Sequence, residues 1–302
     1  MQKVQTKKEK IHKSVLTKEV LEALGLDDAH LNHQASYIDA TIGLGGHTLE
    51  IVKRGGTVLG IDMDNEMLNL AEERLANENS YKLVLGNFKD IKSIAERENF
   101  TDVDGILFDL GVSNIQLTSD MRGFSFNNKE ALLDMRIDTS GGPTAADLLN
   151  VLRRDQLTDL FSQVLTDFES KKIALEIVEF RKNNPIKTTS DFLSICEKVF
   201  KKQRNINPAT RAFLALRMAV NSELENLQEA LPNALSLLKN KGRLVVISFH
   251  SGEDAIVKDF FNLQKDLGKG VVVNKKLIVP TEEEVRDNPK SRSAKLRILE
   301  KI

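Results

Sequence analysis

The chain has 302 residues and a single cysteine, Cys196. No internal disulfide can form, and a reducing compartment is expected. No apolar run approaches the roughly 20 residues that a membrane-spanning helix needs. The opening stretch, 1–14, lacks the apolar core of a secretion signal. A cytoplasmic location is therefore expected, and a membrane partner is not. An excess of charge is also lacking: 43 basic and 44 acidic residues leave a formal net charge of −1. That sum argues neither for nor against nucleic acid, so the distribution of charge has to decide. Internal repeats and low-complexity tracts are absent. What is present is the composition of a globular protein, 41% hydrophobic and 29% charged, long enough for one large domain or two ordinary ones.

The first third alternates two periodicities. "YIDATI" (37–42), "TVLGIDMD" (57–64), "YKLVLGNF" and "VDGILFDLGVS" (103–113) read as strands, and "HTLEIVKRG" and "NEMLNLAEERLANE" (65–78) as helices. Strands with apolar middles alternating with helices predict a parallel sheet covered on both faces. From about Ile115 to Met218 the strand signal fades. "TAADLLNVL", "DQLTDLFSQVL", "SKKIALEIVEFRK" and "TSDFLSICEKVFKK" read as amphipathic helices, separated by Gly141-Gly142-Pro143 and Asn184-Pro185. After a further helical stretch, "GRLVVISFH" (242–250) and "AKLRILEKI" (294–302) read as strands. Two late strands are too few for a sheet of their own. The pattern therefore predicts one α/β domain, 1–114 with 219–302, interrupted by a helical insertion at 115–218.

"DATIGLGGHTLE" (39–50) places an acid, three glycines and a histidine between a strand and a helix. Such a turn can present backbone N–H groups and a helix N-terminus to a nucleotide. Asp62 ends the second strand, nineteen residues after Gly43, where an acid can accept from two ribose hydroxyls. A dinucleotide fingerprint would need glycine at position 48, which is Thr48, so a nicotinamide-dependent oxidoreductase is disfavoured. Asp39-x-x-x-Gly43-x-Gly45-Gly46 is closer to the first motif of S-adenosylmethionine-dependent methyltransferases, whose donor has no pyrophosphate. A purely structural tight turn is the alternative. His30-x-x-His33 has no cysteine or further histidine near it in sequence, so a metal site is not expected.

"FDLGVSNIQL" (108–117) follows the fourth strand, and strand C-termini line the crevice of an open α/β sheet. Asp109 would stand where methyl donor and acceptor meet. The exocyclic amine of a base is a poor nucleophile, and a carboxylate accepting its hydrogens can hold it in line with the methyl group. The alternative is that Asp109 caps the following turn. "SFHS" (248–251) ends a strand but lacks the Gly-x-Ser-x-Gly pattern of a serine nucleophile.

"IDATIGLGGHT", "DGILFDLGVSNIQL", "RGFSF", "LDMRID", "NPATRAFLALRMAVNSELENL", "GRLVVISFHSGEDAIVK" and "NPKSRSAKLRI" occur in this order. Together, from about His12 to the C-terminus, they resemble the bacterial 16S ribosomal RNA cytosine-N4 methyltransferase family. The resemblance implies a class I, Rossmann-like methyltransferase fold with an inserted all-helical substrate domain, and S-adenosylmethionine as donor. It implies a cytidine in the decoding region of 16S ribosomal RNA, within the small subunit, as substrate. Matched by position, donor contacts fall on Gly45, Gly46, His47, Asp62, Phe88, Asp109 and Gln116. Ser113-Asn114-Ile115 replaces the family's Ser-Ser-Pro, and its Tyr-Gly-Glu-Glu stretch has no counterpart near "QVLTDFESKK".

Charge distribution supports an RNA partner. Between Lys198 and Asn221 lie six basic residues, Lys198, Lys201, Lys202, Arg204, Arg211 and Arg217, and no acid; 288–299 holds Lys290, Arg292, Lys295 and Arg297, again without an acid. Such windows can neutralise phosphates, or can be solvated basic faces. Arg211 and Arg217 lie in an apolar helical run and would need partners if structural. Arg211, Arg217, Asn221 and Ser248 are expected at the substrate, with Asp109 and His250 as catalytic candidates, His250 as an optional proton acceptor. Whether the chain forms a homodimer is left open. A non-catalytic RNA-binding assembly protein with a relic donor pocket is the alternative from another class.

Overall fold

A computed structural model describes residues 13–26, 35–111, 122–125, 128–201, 207–274 and 276–302. The chain divides into two compact units, 1–111 with 224–302, and 112–223.

The first unit is built on a seven-stranded sheet of order β3-β2-β1-β4-β5-β7-β6. Its strands are β1 (Ser36–Asp39), β2 (Thr57–Asp62), β3 (Tyr81–Leu85), β4 (Val103–Asp109), β5 (Leu238–Ser248), β6 (Gly270–Val272) and β7 (Lys295–Lys301). Strands β1 to β5 run parallel, while β7 is antiparallel to both β5 and β6. Strands from either side of the 112–223 unit thus share one sheet. This order, with its one reversed strand, is a class I methyltransferase arrangement.

The nearly continuous apolar strands reflect cover on both faces. Successive side chains point to opposite sides of a strand. Ile38, Leu59, Ile61, Ile106, Phe108, Leu244 and Val246 enter one core. Their neighbours Tyr37, Val58, Leu107, Val245 and Ile247 enter the other. The first core is closed by α4 (Ile91–Glu98), α10 (Glu223–Leu237) and α11 (Ser251–Asp266), which supply Ile91, Ile94, Leu227, Leu231, Val257 and Phe261. The second is closed by α1 (Thr17–Ala23) and α2 (Gly46–Lys53) through Val20, Leu21, Ile51 and Val52. The helix α3 (Asn65–Leu75) packs Leu68, Ala71 and Leu75 with Ile42.

The second unit is helical: α5 (Ala145–Val151), α6 (Arg154–Ser162), α7 (Asp167–Arg181), α8 (Thr189–Val199) and α9 (Thr210–Asn221). Thr144 with Asp147, Thr166 with Glu169, and Thr188 with Asp191 form capping boxes that start α5, α7 and α8. Each satisfies helix N–H groups that would otherwise lack partners. The core is aromatic at its centre: the Phe192 ring lies 6.2 Å from Phe161 and 5.0 Å from Phe213. Among the described residues, no helix is long and apolar enough to cross a membrane.

Because Phe192 is fully buried between these two rings, Phe192→Ala is expected to destabilise the protein by about 3–5 kcal/mol. Urea unfolding followed by circular dichroism measures it; a loss well under 1 kcal/mol would show that this centre is not closely packed.

Candidate active site

The parallel strands all point their C-termini to one rim, and Asp39, Asp62 and Asp109 are the last residues of β1, β2 and β4. The strand order reverses between β1 and β4. At such a switch point the connections leave to opposite sides and open a crevice. Asp39 and Asp109 flank it.

Each acid is held by its local chain. Asp39 is buried; it accepts from Thr48 Oγ1 at 2.7 Å and, weakly, from the Thr41 N–H at 3.4 Å. Thr41 Oγ1 in turn accepts from the Asp109 N–H at 2.6 Å, tying the ends of β1 and β4 together. Asp62 accepts the Gly43 N–H at 2.9 Å through Oδ2 and the Asp64 N–H at 2.9 Å through Oδ1. Burial pushes the carboxyls of Asp39 and Asp62 each up to about 6, against the hydrogen bonds that favour their ionised forms.

The glycines have two local causes. Gly43 (φ 50°) and Gly45 (φ 71°) adopt left-handed backbone conformations that side chains disfavour. Gly46 opens α2, and a Cβ on it would come 1.9 Å from Ser14 Oγ, so the N-terminal segment lies against the turn. Thr48 occupies the place of a third glycine because its hydroxyl serves Asp39. Neither Thr41 nor Thr48 was singled out from the sequence as a binding residue. The available signal was threonine on both sides of the glycines, nine residues or fewer from an acid.

His47 is buried, and its Nε2 stands 3.5 Å from Asp109 Oδ2, an ion-pair distance without the geometry of a hydrogen bond. Burial pulls the imidazole down, but Asp109 and then Asp39 outweigh it against opposing Arg74, and its pKa is raised. Among the described residues, Asp109 Oδ1 is buried without a hydrogen-bond partner. Phe88 follows β3 in a short 3-10 turn and meets Phe108 edge-on, ring centroids 5.8 Å apart.

Ser248 ends β5, buried, its Oγ 3.5 Å from the Lys295 carbonyl. His250 caps α11: its Nδ1 accepts the Glu253 N–H at 3.3 Å, and its Nε2 lies 3.1 Å from Glu253 Oε1. That capping occupies the lone pair a proton acceptor would use. In the helical unit, Arg211 pairs with Glu169 at 3.2 Å and donates to the Val164 carbonyl. Arg217 is bidentate to Glu223 at 2.7 and 2.8 Å. Asn221 receives the Ile137 N–H and donates to the Met135 and Arg217 carbonyls. Lys198 meets Glu176 at 3.8 Å, and Lys295 and Arg297 both reach Asp254. The acid-free windows are thus answered in part by acids on other elements. Gln116, Ser113-Asn114-Ile115, His12, His30, His33, Lys202 and Arg204 lie outside the described residues.

A family model described as the MraW methylase family matches residues 9–302. A "Ribosomal RNA small subunit methyltransferase H" from Coprothermobacter proteolyticus is 41% identical over 292 residues, 96% of each chain. Another of that name, from Methylacidiphilum infernorum, is 44% identical over 279 residues, 88% of each. A solved rRNA methylase from Streptococcus thermophilus aligns over 96% of this chain and 99% of its own, at 12% identity and a TM-score of 0.46. At that score the strand order, not this likeness, defines the fold.

Thr48→Val removes the side-chain donor to Asp39. It is expected to cost about 1–3 kcal/mol at neutral pH. The bond favours the ionised acid, so the variant's Asp39 has a higher folded pKa than the parent's. The deficit therefore shrinks as pH falls below about 6, where Asp39 is protonated in both proteins. Urea titrations across that range measure it; a deficit independent of pH would separate Thr48 from the charge on Asp39.

Proposed function

Because the chain belongs to the MraW methylase family, we propose that it methylates the exocyclic N4 amine of a cytidine in the decoding region of 16S ribosomal RNA, within the small ribosomal subunit. It is a methyltransferase, and S-adenosylmethionine is its methyl donor. Membership sets aside the nicotinamide reading. Ribosomal RNA as substrate is supported by the names of the relatives.

The rim fits the donor. A carboxylate offers about four acceptor positions. Backbone N–H groups take one on each oxygen of Asp62, which leaves acceptor capacity for two ribose hydroxyls. The first N–H groups of α2, at Gly46 and His47, have no partners within the helix and can meet the carboxylate end of the donor. Phe88, half-buried on Phe108, can pack on the adenine. Bound there, the donor supplies an electrophilic methyl group on a cationic sulfur.

The observation that carries the proposal is Asp109 Oδ1, a buried carboxylate oxygen with no hydrogen-bond partner among the described residues. Leaving such an atom unsatisfied costs free energy. An amine hydrogen of the acceptor base would satisfy it. Accepting that hydrogen, Asp109 holds the nitrogen in line for attack and favours positive charge on it as the N–C bond forms. The proton then leaves the nitrogen along the same hydrogen bond, to Asp109 or on to water. Arg217 and Asn221 serve the packing of the helical unit in this scheme, and His250 serves its helix.

Labelled donor incubated with small subunits lacking the modification is expected to yield N4-methylcytidine at one decoding-region position. Label on another base, or none, refutes the proposal and in the second case favours a non-catalytic assembly protein. Asp109→Ala is expected to lower kcat by about 100-fold or more with the melting temperature retained. Donor affinity, read by calorimetry, is expected to rise as pH climbs through about 6, because Asp62 must ionise to accept both hydroxyls. Asp62→Asn weakens binding roughly tenfold or more and leaves only the pH dependence that Asp39 contributes; an unchanged affinity would place the ribose elsewhere.

A further inference from the structure

His47 is a buried titratable group whose side chain the donor reading leaves without a role. The ring is 5% exposed. Among the described residues neither nitrogen has a hydrogen-bond partner, and Asp109 Oδ2 stands 3.5 Å from Nε2. The charged groups facing the ring come from three elements: Asp109 on β4, Asp39 on β1 and Arg74 on α3. Two carboxylates against one guanidinium favour the imidazolium. Contacts of this kind are commonly long before substrate is bound and tighten in the complex.

We propose that His47 is a positioning residue whose imidazolium holds Asp109 through Oδ2 and keeps its Oδ1 turned to the acceptor amine. This rests on the reading of Asp109 given above. One oxygen of Asp109 is anchored and the other works. The anchor matters because a free carboxylate at a strand end can rotate, and catalysis by a hydrogen-bond acceptor depends on direction as well as charge. Donor binding at position 47 then falls to the backbone N–H, and the ring acts on the chemical step alone.

The raised pKa of His47 sets the sign of the pH dependence. The charged ring is present below its raised folded pKa and is lost as pH rises through it, so kcat should decline on that alkaline side. His47→Gln is expected to lower kcat by about 10-fold to 100-fold, to abolish the alkaline decline, and to leave the donor Kd within about twofold. Wild-type kcat with the decline intact would overturn the proposal, as would donor affinity falling in step with kcat.

A second measurement needs no turnover and no folded His47 variant. The chain has five histidines, few enough for histidine-selective NMR titration. In Asp109→Asn the His47 pKa is expected to drop by about one unit or more. An unmoved titration would dissolve the pair. The underlying reading fails differently: Asp109→Ala would then keep its activity, whatever the titration shows.

Discussion

Three carboxylates must be kept at one rim of one sheet, and the rest of the site is organised by that constraint. Asp39, Asp62 and Asp109 end adjacent or near-adjacent strands, and like charges in a partly dry environment repel strongly. Asp109 raises the pKa of Asp39, and Asp39 that of Asp62. Each acid therefore needs its own donor, and the glycine turn supplies them. The Gly43 N–H goes to Asp62, the Thr48 hydroxyl to Asp39, and the His47 ring faces Asp109. The turn cannot relax without stripping an acid, and the acids cannot stay without the turn. A glycine conformation, two threonines and a buried histidine thereby become one feature.

The helical unit resolves its charges differently. Its basic residues meet acids on other elements: Arg211 with Glu169, Arg217 with Glu223, Lys198 with Glu176. Exposed pairs of this kind contribute little stability. The half-buried Arg217–Glu223 pair is bidentate, and Arg217 also offers its carbonyl to Asn221, which fixes the backbone at Met135 and Ile137. Of the six cations in the 198–221 window, Lys198, Arg211 and Arg217 thus meet acids in space.

What was legible in the sequence follows from the range of the forces involved. Strand and helix periodicity report burial within a few residues, so β1 to β5, β7 and the helices of the second unit could be read. The late strands could be placed in the same sheet by counting. The three-residue β6 is too short to announce itself. Asp62 and Asp109 were legible because spacing fixes where a strand ends. The contact of Ser14 with Gly46, the pairing of Thr41 with the Asp109 backbone and the approach of Arg74 to His47 were not. Each joins parts of the chain that only the fold brings together. His250 shows the converse: a histidine after a strand looks chemical, yet His-x-x-Glu at a helix start is also a capping pattern, and the structure uses it as one.

The same three acids decide what kind of ligand the rim can take. A dinucleotide brings a pyrophosphate, and two further negative charges beside Asp39, Asp62 and Asp109 would be repelled by each. Nor could the turn compensate, since the Gly43 N–H is already spent on Asp62. A sulfonium brings a positive charge to a cluster that has one imidazole and one arginine against three carboxylates. A sulfonium bound there would add a positive charge beside the carboxylates, and methyl transfer would remove it from the sulfur. A cluster of this charge would favour a cationic sulfonium over its neutral, demethylated form. Thr48 in place of a glycine fits this account: the site gives up close approach to a phosphate and gains a hydroxyl for the acid that keeps the rim negative.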